Sequence, residues 1–392
     1  MNEQRFVMNE TPQIVVAHCD GDVVVKSWRE TAVSVQGPAV TVEQATANEL
    51  RLTAVGDLYL AVPQNARLTF GRVGGSLSIK HVSGGVSVDE VLGNVTLRNV
   101  DAVAITRAAQ AVQGDNINGA LLLQEVGGFV ALRSASGVQI HQASGNVTLQ
   151  FVNGHVRLSR VAGTVDIRTV NGDIHIETVQ GDVVLANVGR QVQVTAVTQS
   201  IWLVGGLANG SHRLAAEANV YVYWPADAPL NLTARGAAVD HRLPLAKAVQ
   251  TTENDQTTLT GHIEEGQVDL YVQAGQRVAL RPLGAEPPRF SPEEFAVPIM
   301  PDDALTQKVR TAVRAALAGS ADSAALEDRL VTALTAALAG QEPAESAPAP
   351  VTVLPTEPQT PNQAENRTPI LQLVRDGLIS VEQAILLLDA LP

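Results

Sequence analysis

From Gly75 to Leu207, aliphatic residues return about every nine positions in one phrase: Gly, polar, aliphatic, variable, aliphatic, two variable positions, aliphatic, polar. Residues 154–162, 163–171 and 172–180 are three consecutive copies. Side chains alternate along a strand, so positions three and five of each unit point one way and position four the other, while position eight rejoins the inward set. The predicted inward ladder includes Leu77, Val86, Val95, Val103, Val112, Leu121, Val130, Val147, Val156, Val165, Ile174, Val183, Val192 and Ile201. The outward set includes Ser78, Ser87, Thr96, Gln113, Arg157, Asp166, His175 and Gln193. One unit cannot bury its aliphatic side alone, so copies must stack into a parallel β-solenoid with a dry centre. Two units per coil give a flattened solenoid and three a triangular one, and the spacing leaves both open. Units 93–100 and 137–144 run one residue short and predict tightened corners. Gly at position one fits a turn that needs positive φ or close backbone approach.

The flanks carry related patterns. Residues 1–74 alternate apolar and polar in short runs and predict a strand-rich cap that covers the first rung and begins the solenoid. An uncovered end would expose strand edges and favour polymerisation. Residues 208–285 predict the closing strands. Residues 58–70 and 220–232 echo each other as strand, Pro-containing turn, strand.

Past Pro287 the period changes. Leu305, Val309, Ala312, Val313, Ala316 and Leu317, then Leu326, Leu330, Ala333, Leu334, Ala337 and Leu338, predict an α-helical hairpin over 300–340, with Gly319 and Gly340 at the helix ends. Residues 341–368, rich in Pro, Glu and Thr, predict a disordered linker. Residues 369–392 predict a second, short helical hairpin with a capping box at Ser380 and Gln383. So few residues cannot bury Ile370, Leu373, Val374, Ile379, Ala384, Leu387, Leu388 and Leu391 by themselves, which makes these eight the candidate contacts for self-association or for another protein.

Composition narrows the function classes. Aromatics are 3% of 392 residues, as expected for a narrow core of β-branched and small side chains. A net charge of −13 argues against nucleic acid and against anionic membrane surfaces. Cys19, the single cysteine, has no internal disulfide partner. No secretory signal and no run long enough to span a membrane are visible, so the expected location is the cytoplasm, with surface display left open.

The Gly-(Asn/Asp)-Val-x-(Leu/Ile) phrases, as at residues 93–97 and 181–185, resemble a bacterial β-solenoid family labelled putative adhesins. The strand before Pro63 and the following Gly74-Gly75 are similar to its opening segment. The resemblance covers about residues 10 to 283 and implies a β-helical fold without known catalysis. Residues 369–392 resemble a SHOCT-like helical module through Ile370-Leu371, Val374, Asp376-Gly377, Ile379-Ser380, Glu382, Ala384 and Leu387-Leu388. That resemblance implies oligomerisation or partner docking.

Candidate chemistry is sparse. Gly114-Asp115, Gly172-Asp173 and Gly181-Asp182 are similar to a calcium-binding β-roll, but the second glycine is missing and Asp alternates with other residues, so they read as turn residues. His141, His155 and His175 fall at different positions of their units, so no metal or other cofactor is expected. Asp166 and Glu177 are the outward acids most like a glycosidase pair, and read as solvated charges. Trp202, Tyr221, Tyr223 and Trp224 form the one concentration of aromatics, either a contact for glycan or partner or a seal at the end of the rod. The expectation is a non-enzymatic scaffold with a tethered helical module. The alternative is a carbohydrate-binding or carbohydrate-cleaving β-helix.

Overall fold

The structure is a computed structural model that describes residues 2–264 and 267–284. The helical hairpin expected at 300–340, the linker at 341–368 and the SHOCT-like hairpin at 369–392 lie outside the described residues. Within them are 29 β-strands, numbered β1 to β29 in chain order, and no helix.

Nine-residue units alternate between two parallel ladders, so two units make a coil and the solenoid is flattened. In sheet 1, β8 (Arg67–Val73) pairs with β10 (Val86–Val91), which pairs with β12 (Val103–Ala108). In sheet 2, β9 (Leu77–Val82) pairs with β11 (Val95–Val100), which pairs with the first half of β13 (Val112–Val126). Like positions stack throughout: Val147 on Val165, Val165 on Val183, and Val183 on Ile201. The whole predicted inward ladder is buried. Residues that cannot fill a core singly therefore fill one by facing the same residues of the opposite sheet, about 10 Å away.

Position eight faces inward although it lies three residues after position five, so the pleat must break between them. In sheet 2 the break falls on position seven, which is left-handed in coil after coil: His81, Asn99, Asn116, Ser134, Phe151, Thr169 and Asn187, with φ between 50° and 61°. Gly205 continues the column at 103°. Asn and His tolerate this region, whereas bulky Phe151 and β-branched Thr169 hold it at an energetic cost.

The position-one glycines do something else. Gly145, Gly163 and Gly181, in one corner column, are not left-handed. A Cβ on Gly145 would lie 2.8 Å from the backbone of Gly128, one on Gly163 2.6 Å from that of Gly145, and one on Gly181 2.7 Å from that of Gly163. Of the two roles expected for these glycines, close approach holds in this column and positive φ does not. Position two completes the corner. Asn146 Oδ1 accepts the Thr164 N–H at 2.9 Å, and Asp182 Oδ1 accepts the Ser200 N–H at 2.9 Å. The Gly-(Asn/Asp) phrase thus caps the backbone of the next coil.

The short units also resolve. Both shortened steps, Val95 to Val103 and Val130 to Val138, pass from sheet 2 to sheet 1. At the second, β14 (Val130–Ala143) turns the corner as one unbroken strand. Gly114-Asp115 is not a corner at all. It lies inside β13, where Gly114 takes inward position five and Ile117 occupies the space its side chain would use.

At both ends the coils stack out of chain order. The coil of β2 (Gln13–Cys19) and β3 (Val23–Trp28) sits between the coil of β6 (Glu49–Val55) and β7 (Leu58–Pro63) and that of β8 and β9. Likewise β28 (Val268–Ala274) and β29 (Arg277–Pro282) are interposed between β22 (Gly210–Ala216) and β23 (Asn219–Trp224) on one side and β24 (Leu230–Gly236) and β25 (Ala238–His241) on the other. The two Pro-containing turns are where the chain steps over the interposed coil. Each closes on itself, the Ala66 N–H donating to Pro63 O at 3.0 Å and the Ala228 N–H to Pro225 O at 3.2 Å.

Antiparallel strands then flank the stack. β4 (Ala32–Gly37) pairs with β7, and β1 (Asn2–Val7) pairs with β4. β5 (Ala39–Ala45) pairs with β6. At the far end β27 (Gln256–Ile263) pairs with β24, and β26 (Ala246–Glu253) with β27. Edge strands β5 and β26 are each interrupted by a register shift, which blunts further pairing.

His212 occupies an inward position of β22, paired with Leu270, and is fully buried. Its Nε2–H donates to Ala208 O at 2.8 Å and its Nδ1 accepts the Val192 N–H at 3.2 Å, an arrangement that needs the neutral ring. Burial holds its pKa below the usual histidine value, against smaller opposing effects of the Ala208 hydrogen bond and Asp269. The unfolded chain therefore takes up a proton first as pH falls. The stabilisation is complete above about pH 6.5 and declines below it, toward the folded pKa. Urea midpoints should fall between pH 7 and pH 5.5 in the parent chain and stay flatter in His212→Gln. Equal slopes in the two would show that His212 is not responsible.

Candidate functional site

The outward side chains form ladders of their own, and the two sheets differ. On sheet 1, Arg72, Glu90, Arg107 and Glu125 stack with alternating sign. Glu90 lies 3.4 Å from Arg72 and 3.5 Å from Arg107, so this row neutralises itself. On sheet 2 the row at position six runs Lys26, Lys80, Arg98, Asp115, Arg133, Gln150, Arg168. Arg168 is matched by Asp166 in the row beside it, and Lys26, Lys80, Arg98 and Arg133 outnumber Asp115 in this row, on a chain that is acidic overall. Farther along, the same row becomes Ala186, Val204 and Tyr223, and the row beside it Val184, Trp202 and Tyr221. Sheet 2 thus passes from basic to apolar and aromatic as far as β23, and Arg281 of β29 follows Tyr223 in the row.

Of the four aromatics singled out in the sequence, the structure brings two together. Trp202 and Tyr221 stack outward with centroids 5.4 Å apart and planes at 11°. Tyr223 also faces outward but is buried at 7% exposure, and Trp224 points into the core at 0%. The Trp224 Nε1–H donates to Ala228 O at 3.1 Å across the Pro225 turn. These residues do not seal an end, because two further coils lie beyond β23. The eight candidate contacts Ile370, Leu373, Val374, Ile379, Ala384, Leu387, Leu388 and Leu391 lie outside the described residues.

Asp166 and Glu177 do not form an acid pair. Asp166 lies on β17 (Val165–Val170) of sheet 2 and Glu177 on β18 (Ile174–Val179) of sheet 1, so their side chains leave opposite sides of the solenoid. Asp166 is not a solvated charge either. It is 1% exposed and gripped by Arg168, whose Nε lies 3.0 and 3.1 Å and whose Nη2 lies 2.9 Å from the carboxylate oxygens. The histidines stay apart: His141 Nε2 lies 3.2 Å from Arg160, His155 beside Asp173, and His175 Nδ1 3.3 Å from Gln193. Among the described residues no group of three or more His, Cys, Asp or Glu is placed to hold a metal ion. No helix among them is long and apolar enough to cross a membrane.

Shallow concavities among the described residues include two on the surface. One, of about 640 Å³, borders the corner from Asp173 to Ser211, and the other, of about 270 Å³, lies over β24, β27 and β28. Sequence reasoning missed the second, because it is assembled by strands that are interposed out of chain order.

No protein-family model matches the chain, and no curated protein matches it. A solved structure described as a putative cell adhesion protein from Clostridium sporogenes is similar at 10% identity, over 72% of this chain and 99% of that chain, with a TM-score of 0.15. A score so low carries no argument about this protein.

Proposed function

We propose that the protein is a non-enzymatic interaction scaffold, a stiff β-solenoid that presents lateral faces to partners and is joined to other copies through residues 369–392. The observation that carries this reading is the cover of antiparallel strands laid over both ends of sheet 1 and over the first end of sheet 2, with register shifts in the edge strands β5 and β26. Such cover disfavours growth by coil-on-coil addition on sheet 1, which directs contacts to the lateral faces. The opposite placement of Asp166 and Glu177, with Asp166 neutralised by Arg168, removes support for the carbohydrate-cleaving alternative.

Light scattering over a concentration series tests the association. The full chain should show a mass that rises with concentration, while a chain ending at Gly340 should remain monomeric. Two monomers would overturn self-association. Association of both chains would move the contact away from residues 369–392.

A further inference from the structure

We infer that the concavity over the closing strands of sheet 1 is a binding site for a single saccharide residue. It goes beyond the scaffold reading, which concerns association and names no small ligand.

Four strands lie side by side here in the order β28, β24, β27, β26, with β22 on the near flank. Their register aligns two adjacent outward rows. One runs Ser211, Asp269, Asn231, His262 and the other Arg213, Tyr271, Thr233, Thr260. Leu214, Leu232, Leu259, Leu270 and Val272 of the same strands are buried, so the outward grid is fixed by a core beneath it. At the edge, the register of β26 shifts between Ala246 and Val249, and Lys247 within that shift is left-handed with φ 48°. Lys247 lines the same hollow as Asn231, Thr233, His262, Asp269 and Tyr271.

This chemistry suits a ring rich in hydroxyls. Tyr271 is 49% exposed and offers a flat apolar face with a polar tip. Asp269 accepts a hydrogen bond from Asn231 Nδ2 at 3.0 Å, which holds its carboxylate in place beside the tyrosine. An acceptor-only carboxylate next to an amide, two threonine hydroxyls and an imidazole provides both donors and acceptors around one aromatic face. A volume of about 270 Å³ is at the small end for ligand pockets and fits one pyranose rather than a chain buried along its length. An apolar ligand would displace water from the polar rows without replacing the hydrogen bonds that water makes, and is disfavoured for that reason.

The test uses the full chain and five named probes: D-glucose, D-galactose, D-mannose, N-acetyl-D-glucosamine and D-glucuronate. Saturation-transfer NMR followed by calorimetry should find saturable binding of at least one, with a dissociation constant on the order of 1 mM, as for a ligand buried on one face only. Asp269→Asn preserves shape and should weaken that binding by about tenfold or more, as should Tyr271→Ala. Tyr59→Ala, at an exposed tyrosine of sheet 2, should leave it unchanged. Unaltered circular dichroism melting of Asp269→Asn separates loss of binding from loss of fold. Absence of saturable binding to all five probes overturns the proposal, and so does binding that survives both Asp269→Asn and Tyr271→Ala. A preference for D-glucuronate would assign the site to acidic sugars and a part to Lys247.

Discussion

Trp224→Ala should destabilise the protein by about 4 kcal/mol, the range for emptying a fully buried aromatic site. Trp224 is among the largest side chains with no exposure, and its indole N–H also ties down the turn by which the chain crosses from β23 over the interposed coil to β24. Substitution therefore opens a cavity and releases a hydrogen bond at a topological crossing. Trp224→Phe, which keeps most of the volume and loses the donor, should cost about 1–2 kcal/mol. Trp202→Ala serves as the control. Its ring is stacked outward and only half-buried, so about 1 kcal/mol is expected. Urea unfolding followed by far-UV circular dichroism measures all three, and equal losses for Trp224→Ala and Trp202→Ala would contradict the placement of the two rings.

Gly181→Ala should cost about 2–3 kcal/mol. The added methyl would stand 2.7 Å from the carbonyl carbon and oxygen of Gly163 and 2.9 Å from the Thr164 nitrogen. None of these atoms belongs to a flexible side chain, so relief requires moving a coil against its neighbours, all of which are hydrogen-bonded in register. The gain from stiffening the unfolded chain, about 0.4–1 kcal/mol, offsets part of the strain. Gly137→Ala should be neutral or slightly stabilising. A Cβ there meets nothing nearer than the His155 carbonyl at 3.8 Å, and its φ is not positive. A Gly181→Ala variant as stable as Gly137→Ala would mean that the corner column is loosely packed.

These two sites mark different degrees of legibility. Gly181 stands at the head of a repeat, and its period alone identified it as a corner residue. What the period left open was which property of glycine the corner uses, since close approach and positive φ look the same in a sequence. The left-handed column was hidden for a related reason. Position seven varies among His, Asn, Ser, Phe and Thr because its constraint is on backbone rather than side-chain chemistry, and Phe151 and Thr169 meet it at a cost. Trp224 lay within an aromatic run that alternation should have divided. Tyr223 and Trp224 are neighbours in sequence, and only the turn after Trp224 decides that its ring enters the core while Tyr223 faces out. The candidate saccharide site had no local signal, because Asp269 and Asn231 are 38 residues apart and become neighbours through an interposed coil.

By itself the sequence determined the nine-residue unit, the inward ladder and hence a stacked parallel solenoid, because hydrophobic burial with a fixed period has few other solutions. Tertiary structure decided the rest: two units per coil, the order of coils at each end, the burial of Asp166 against Arg168, and the polar grid around Tyr271. Those features depend on which strands become neighbours across long stretches of chain, and strand pairing leaves no mark on periodicity when every strand carries the same inward pattern.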